Sequence, residues 1–344
     1  MFLKNKLTLL HLCVRMLFCL VFCGIHAFAA DPGASYPAQS MVSDQKAGSV
    51  LVYNIYTSSA SEAWDVNSRI NLTNTNATSS VAVHLFFIDG ESCSVADSFL
   101  CLTPSQTITY LASDIDPGVT GYLIAVAVDR TGWPTNFNYL IGDAFVKLPS
   151  GHLGNLLAEA FAATFVADGA HDSSADTATL WFDGSGRPHS YNPLPRVLAA
   201  DNLSSRASES TQYLVVNRIG GNLTASAAPV GSLFGLLYDD AERAFSFNLT
   251  TQYCQLAGVL SNSFPRTVPR LESIIPAGRS GWMRLTDNLS GSGILGSIFE
   301  CNPAGNKADS FNGGHNLHKL SFNLTNAGTN YAPRLEIPIF PPAC

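Results

Sequence analysis

Two stretches about 160 residues apart constrain this chain more than any other feature. IDPGVTGYLIAV (115–126) and IPAGRSGWMRL (275–285) each place two glycines three apart, Gly118/Gly121 and Gly278/Gly281. Each pair is followed by an aromatic, Tyr122 or Trp282, at the head of an apolar run. The match has company. AVHLFFIDGE (82–91) is echoed by SLFGLLYDDAE (232–242), with Asp239 where Asp89 stood, and VLVYN (50–54) by QYLVVN (212–217). The order is kept while the offset drifts between about 150 and 160 residues, which is the pattern of one supersecondary plan used twice.

The repeated pieces read as strands. VLVYNIYT (50–57), RINLTNTNATSSVAVHLFFIDG (69–90), QTITYLAS (106–113), GYLIAVAVD (121–129) and TATLWF (177–182) are rich in β-branched and aromatic residues. Asn, Thr, Gly and Pro punctuate them. VAVHLFFI is apolar at nearly every position, as expected of a strand covered on both faces. The expected fold is all-β: two tandem immunoglobulin-like β-sandwich domains, 48–165 and 206–344, joined by a connecting segment at 166–205. One stretch departs from this pattern. In GHLGNLLAEAFAATF (151–165), Leu153, Leu156, Leu157, Ala160, Phe161 and Phe165 recur at helical spacing behind Ser150, which predicts one short helix near the junction.

Residues 1–30 read as a cleaved signal peptide: Lys4, Lys6 and Arg15, a short apolar stretch around 16–22, then Ala27-Phe28-Ala29. A small, polar, proline-bearing linker follows at 31–47, and no later apolar run reaches the roughly 20 residues of a membrane helix. The expected destination is the periplasm, the cell surface or the medium. Hydrophobic residues make up 46% of the chain and charged ones 13%, about half the usual charged share. Disorder is therefore excluded, since it needs few apolar residues and much charge. The net charge of -7 argues against a nucleic-acid partner, which calls for basic patches.

Cys13, Cys19 and Cys23 leave with the signal, while Cys93, Cys101, Cys254, Cys301 and Cys344 remain for an oxidising compartment. Proximity in sequence suggests a Cys93–Cys101 bridge, and the tail suggests Cys254–Cys344. Cys301 is then free or pairs between molecules.

The motifs that suggest chemistry are weak. A phosphate loop leads glycine-rich backbone into a helix, whereas Gly121 leads into the strand-like Tyr122–Val126. GSGILG (291–296) has the dinucleotide spacing but continues into SIFECNP, which cannot extend as a helix. His315 and His318, in GGHNLHKL (313–320) with Cys301 and Asp309 upstream, are the metal-ligand candidates. Zinc needs three or four donors to converge, and residues three apart on one strand face opposite ways, so only a loop or a helix turn would bring them together; the expected reading is a glycine-opened loop with two polar imidazoles and no bound metal. Asp114/Asp116, Asp168/Asp172/Asp176 and Asp183 lack the spacing of a calcium loop. GxSxG, HExxH and a Cys–His pairing are missing from the sequence, so neither an enzyme nor a cofactor is expected. Trp64 (SEAWDVN) and Trp133 (RTGWPTN) lie in loop-like sequence and are the ligand-contact candidates, able to stack on sugar or protein. Sequons at Asn71, Asn76, Asn202, Asn222, Asn248, Asn288 and Asn323 are what an Asn/Thr-rich β-protein produces with or without glycans.

The chain resembles exported bacterial proteins with immunoglobulin-like sandwiches, and that resemblance brings no catalytic residue with it. The expected function is that of a non-enzymatic surface or extracellular structural or interaction module. Its partners would be protein or glycan, and its sheet edges permit self-assembly. The alternatives are carbohydrate or small-ligand binding through the loop aromatics, and a secreted hydrolase of unrecognised site.

Overall fold

The computed structural model describes residues 41–166, 174–205, 210–287, 292–302, 311–321 and 333–343. The proposed signal peptide, linker residues 31–40, Asp168, Asp172, Asn288, Asp309, Asn323 and Cys344 lie outside them.

Nine strands form the first half: β1 (Val50–Thr57), β2 (Asn67–Asn74), β3 (Val81–Asp89), β4 (Val95–Leu102), β5 (Thr107–Leu111), β6 (Thr120–Val128), β7 (Leu140–Lys147), β8 (Leu153–Leu157) and β9 (Glu159–Phe161). They make sheet A, in the order β4-β3-β6-β1-β9, and sheet B, in the order β5-β2-β7-β8. Leu51, Leu85, Phe87, Leu123 and Ala125 of sheet A meet Ile70, Leu72, Val146 and Leu156 of sheet B in one core.

After β10 (Thr177–Trp181) the plan recurs with β11 (Val197–Ser204), β12 (Thr211–Ile219), β13 (Gly221–Asn222), β14 (Ser226–Ala227), β15 (Gly231–Asp239), β16 (Ala244–Thr251) and β17 (Gln255–Val259). It continues through β18 (Ser280–Asp287), β19 (Gly293–Asn302), β20 (Phe311–Asn316), β21 (His318–Ser321) and β22 (Arg334–Pro338). Sheet A′ runs β16-β15-β18-β11-β21 and sheet B′ runs β17-β12-β19-β20, strand for strand the orders of A and B. The remaining strands form a cover sheet, β10-β22-β13-β14. Two features depart from the immunoglobulin arrangement or from the expected repeat. β1 lies beside β6 in the sheet opposite β2, whereas a constant-type immunoglobulin domain keeps its first two strands in one sheet. β12 is the counterpart of β2, so QYLVVN does not match VLVYN; the counterpart of β1 is β11, within the stretch expected to be a connector.

The glycine motifs fall on equivalent places. Gly121 lies opposite Asp89, and Gly281 opposite Asp239. A Cβ at Gly121 would stand 1.8 Å from the Ile88 carbonyl oxygen, and one at Gly281 2.4 Å from that of Tyr238, so both strands demand a residue without a side chain. Gly118 and Gly278, at φ +87° and +74°, make the turns before them. Asp116 in the first turn accepts a hydrogen bond from the Tyr56 hydroxyl at 2.5 Å, which ties the turn to β1.

Residues 151–165 form no helix. They are β8 and β9, joined by a crossing from sheet B to sheet A. Burial in β8 alternates, with Gly154 and Leu156 inward and Asn155 and Leu157 outward. Gly154 lies so close to β20 that its Cβ would be 2.9 Å from the Gly314 nitrogen. The helical periodicity loses to this tertiary contact, which a helix could not make.

The cysteine pairing also differs from expectation. Cys93 is bonded to Cys254, with their Cα atoms 5.3 Å apart, and not to Cys101. Cys93 precedes β4 and Cys101 lies near its far end, so extended strand at about 3.3 Å per residue holds the two apart. Cys101 is itself disulfide-bonded, Cys254 is not available to Cys344, and Cys301 carries a free thiol. The Cys93–Cys254 bridge links the β3–β4 turn of the first half to the β16–β17 connection of the second. A buried amide cluster reinforces this junction. The Asn217 side chain donates to the Asn54 carbonyl at 2.7 Å, Gln255 donates to the Asn217 side-chain oxygen at 2.9 Å, and Asn54 donates to the Gly296 carbonyl at 3.1 Å.

Two stability outcomes follow. C93A/C254A should lose about 5 kcal/mol, because the bond closes a loop of 161 residues in sequence separation; urea unfolding of the oxidised protein measures it. G121A should cost several times more than G118A, whose added Cβ meets only the Ala60 side chain at 3.8 Å and so pays only the penalty of about 1–2 kcal/mol for left-handed backbone.

Candidate metal centre

The two histidines converge because the chain changes sheets between them. His315 belongs to β20 of sheet B′ and lies opposite Ile298, whereas His318 belongs to β21 of sheet A′ and lies opposite Ala199. Leu317 at the crossing is buried and acts as the pivot. The rule that residues three apart on a strand diverge does not apply across such a corner.

The third member, Asp201, comes from a bulge in β11. Pairing with β18 jumps from Ala200↔Met283 to Leu203↔Gly281, which leaves Asp201 and Asn202 unregistered, and Asn202 takes φ +47°. The bulge turns the Asp201 carboxylate toward both imidazoles. His315 Nε2 lies 3.1 Å from Asp201 Oδ1, and His318 Nε2 lies 3.2 Å from Oδ2. One donor atom from each of the three residues falls within 4.8 Å of the others. Partial burial opposes ionisation of Asp201, but hydrogen bonds and charge from His318 and His315 hold its carboxyl below the usual range.

Open space lies on both sides. A groove of about 580 Å³ runs between Met41–Gln45 and the 315–319 strands, and a recess of about 190 Å³ is lined by Gln212, Ile298 and Glu300. Lys319, in the groove wall, pairs at 2.6 Å with the buried Glu159 of β9. Burial pushes the Glu159 carboxyl up to about 7 in spite of that lysine.

The other residues expected to matter are scattered. Trp64 is 89% exposed in the β1–β2 loop, where its carbonyl accepts from Lys147 Nζ at 2.8 Å. Trp133 packs on the core beside the His189 ring at 5.5 Å, and the two tryptophans line none of the cavities described. Cys301 lies opposite Asn312 in β19, and burial raises its thiol pKa. Residues 293–302 of the GxGxxG stretch and beyond are strand. Asp201 was not anticipated from sequence, although the Asp-Asn pair interrupting the apolar run VLAADNLS is the trace of its bulge.

A second feature missed in the sequence is the outer face of sheet A′. Tyr238 and Trp282 stack at 4.2 Å with planes 4° apart, and Phe234 and Leu236 continue the row. Ion pairs Arg243–Asp239 and Arg279–Asp240 flank it.

No family model matches this chain, and no curated protein or solved structure matches it either.

For Glu159 the sign is set by a carboxyl that ionises near 4.5 when unfolded and near 7 when folded. The native state holds the extra proton between those values, so this residue's contribution to stability falls as pH rises from about 4.5 to 7. Glu159→Gln should therefore gain on the wild type across that interval, by up to about 3 kcal/mol. Urea midpoints at pH 4.5 and 8 test this.

Proposed function

We propose that this chain is an exported, non-enzymatic β-sandwich protein that serves as an extracellular or cell-surface structural or interaction module. We take the two halves as tandem sandwiches, the second beginning at β11, delivered by cleavage of the signal at 1–30. The observation that carries the reading is the unequal treatment of equivalent strands. β6 is buried along nearly its whole length under the cover sheet, whereas its counterpart β18 alternates and leaves Trp282, Arg284 and Thr286 on an outer face that no described strand covers. An aromatic and aliphatic row bordered by charges of both signs is what a recognition face needs.

The occupant we favour is a second copy of the chain. Arg243 and Arg279, both largely exposed, and the partly exposed Asp240 border the aromatic centre, which gives a twofold-related copy charges of both signs to meet. The Trp64 and Trp133 route to glycan has less support, because Trp133 is engaged in core packing.

Sedimentation equilibrium of residues 31–344 should give an average mass that rises with concentration. Trp282→Ser, with an unchanged circular dichroism spectrum, should weaken that association at least about tenfold, as expected for a central aromatic. A wild type that stays monomeric throughout would remove the self-contact reading. Glycan-array binding lost in the same variant would assign the face to carbohydrate.

A further inference from the structure

We propose that Asp201, His315 and His318 form a binding site for a zinc-class divalent transition-metal ion. Two imidazole nitrogens and one carboxylate suit zinc, nickel or copper, and do not suit calcium or magnesium, which require oxygen shells. The spacing fits as well. Zinc bound at about 2.0–2.1 Å in tetrahedral geometry holds neighbouring donors about 3.3 Å apart; each imidazole nitrogen stands 3.1 or 3.2 Å from its own Asp201 oxygen, and one donor atom from each of the three residues lies within 4.8 Å of the others. An ion would replace the hydrogen bonds of this cluster with small adjustments of its side chains.

The repeat provides an internal control. By strand register, the first-half counterparts of Asp201, His315 and His318 are Asn54, Leu156 and Glu159. Leu156 is buried in the core between sheets A and B, and Asn54 is fixed in the buried amide cluster between the halves. The same bulge and the same crossing therefore need no ligand set to hold their shape. In the second half the three positions carry metal-ligating groups, each about half exposed and pointing at one another. Where Leu156 is buried in the core, His315 borders an open recess.

The ligands are also well placed for a fixed site. They come from three strands in two sheets, held by the buried pivot Leu317 and the bulge at Asn202, which is a more rigid support than a loop. Three protein donors leave a coordination position facing the groove formed by Met41–Gln45, open to water or to a donor from a docked molecule.

The test uses untagged residues 31–344 carrying Cys301→Ser, so that the free thiol cannot bind the probe. Titration with zinc chloride by calorimetry should give one equivalent per chain and a rise in Tm. D201N, H315Q and H318Q should each weaken binding at least about tenfold and remove the Tm rise. Their metal-free Tm should stay within a few degrees of the parent, because all three side chains are about half exposed. Visible absorption of added cobalt should report a tetrahedral site in the parent only. Absence of stoichiometric zinc binding in the parent overturns the proposal. So does binding that survives unchanged in H315Q and H318Q while both remain folded. If a histidine variant fails to fold, D201N, whose amide preserves the size of the side chain, decides the outcome: zinc binding that survives unchanged in folded D201N overturns the proposal.

Discussion

Sheet A is apolar on both faces, and most of the architecture answers that one condition. Val50, Val52, Phe86, Ile88, Tyr122 and Ile124 point away from sheet B, and must be covered by something other than that sheet. The cover is assembled from Leu180 and Phe182, Ile219, Leu223 and Ala227, and Leu335 and Ile337. These segments lie before, within and after the second half, so covering sheet A binds the whole chain together. β22 pairs antiparallel with β10 and parallel with β13, which brings distant parts of the sequence into one sheet. Apolar burial supplies the drive, and the cover sheet supplies hydrogen-bond partners for its own backbone.

The junction between the halves is polar in a complementary way. Asn54, Asn217 and Gln255 exchange buried hydrogen bonds there, beside the Cys93–Cys254 bridge. Deeper in the second half, Arg218 pairs with Asp287 at 2.8 Å and donates from Nε to the Val230 carbonyl at 2.7 Å. Such buried polar groups add little net stability, since desolvation offsets their attraction. They penalise alternative registers, because a slip of one residue would strand each of them without a partner.

The repeat also accounts for which parts of the chain were legible beforehand. Gly118, Gly121, Gly278 and Gly281, with Asp89 and Asp239, announce their roles because tight turns and close strand approach accept few residue types. β11 hides its relation to β1, since Ala199-Ala200-Asp201-Asn202 stands where β1 has Val52-Tyr53-Asn54-Ile55; only its pairing with β18 reveals it. The 151–165 segment was misread because leucine and alanine spacing carries no record of Gly154 pressed against Gly314. The metal candidates were half visible: His315 and His318 stood out, whereas Asp201 lies more than a hundred residues away and arrives through a bulge.

By itself the sequence determined the strand-rich composition, the recurrence of one plan, and the glycines on which that plan turns. Those properties are local, set by side-chain shape, backbone freedom and hydrophobic pattern. Tertiary structure alone decided which cysteines meet, which sheet is buried twice, and that two histidines on successive strands share one carboxylate. Each of these depends on bringing together residues far apart in the chain, and contacts of that range are set by the packing of whole sheets.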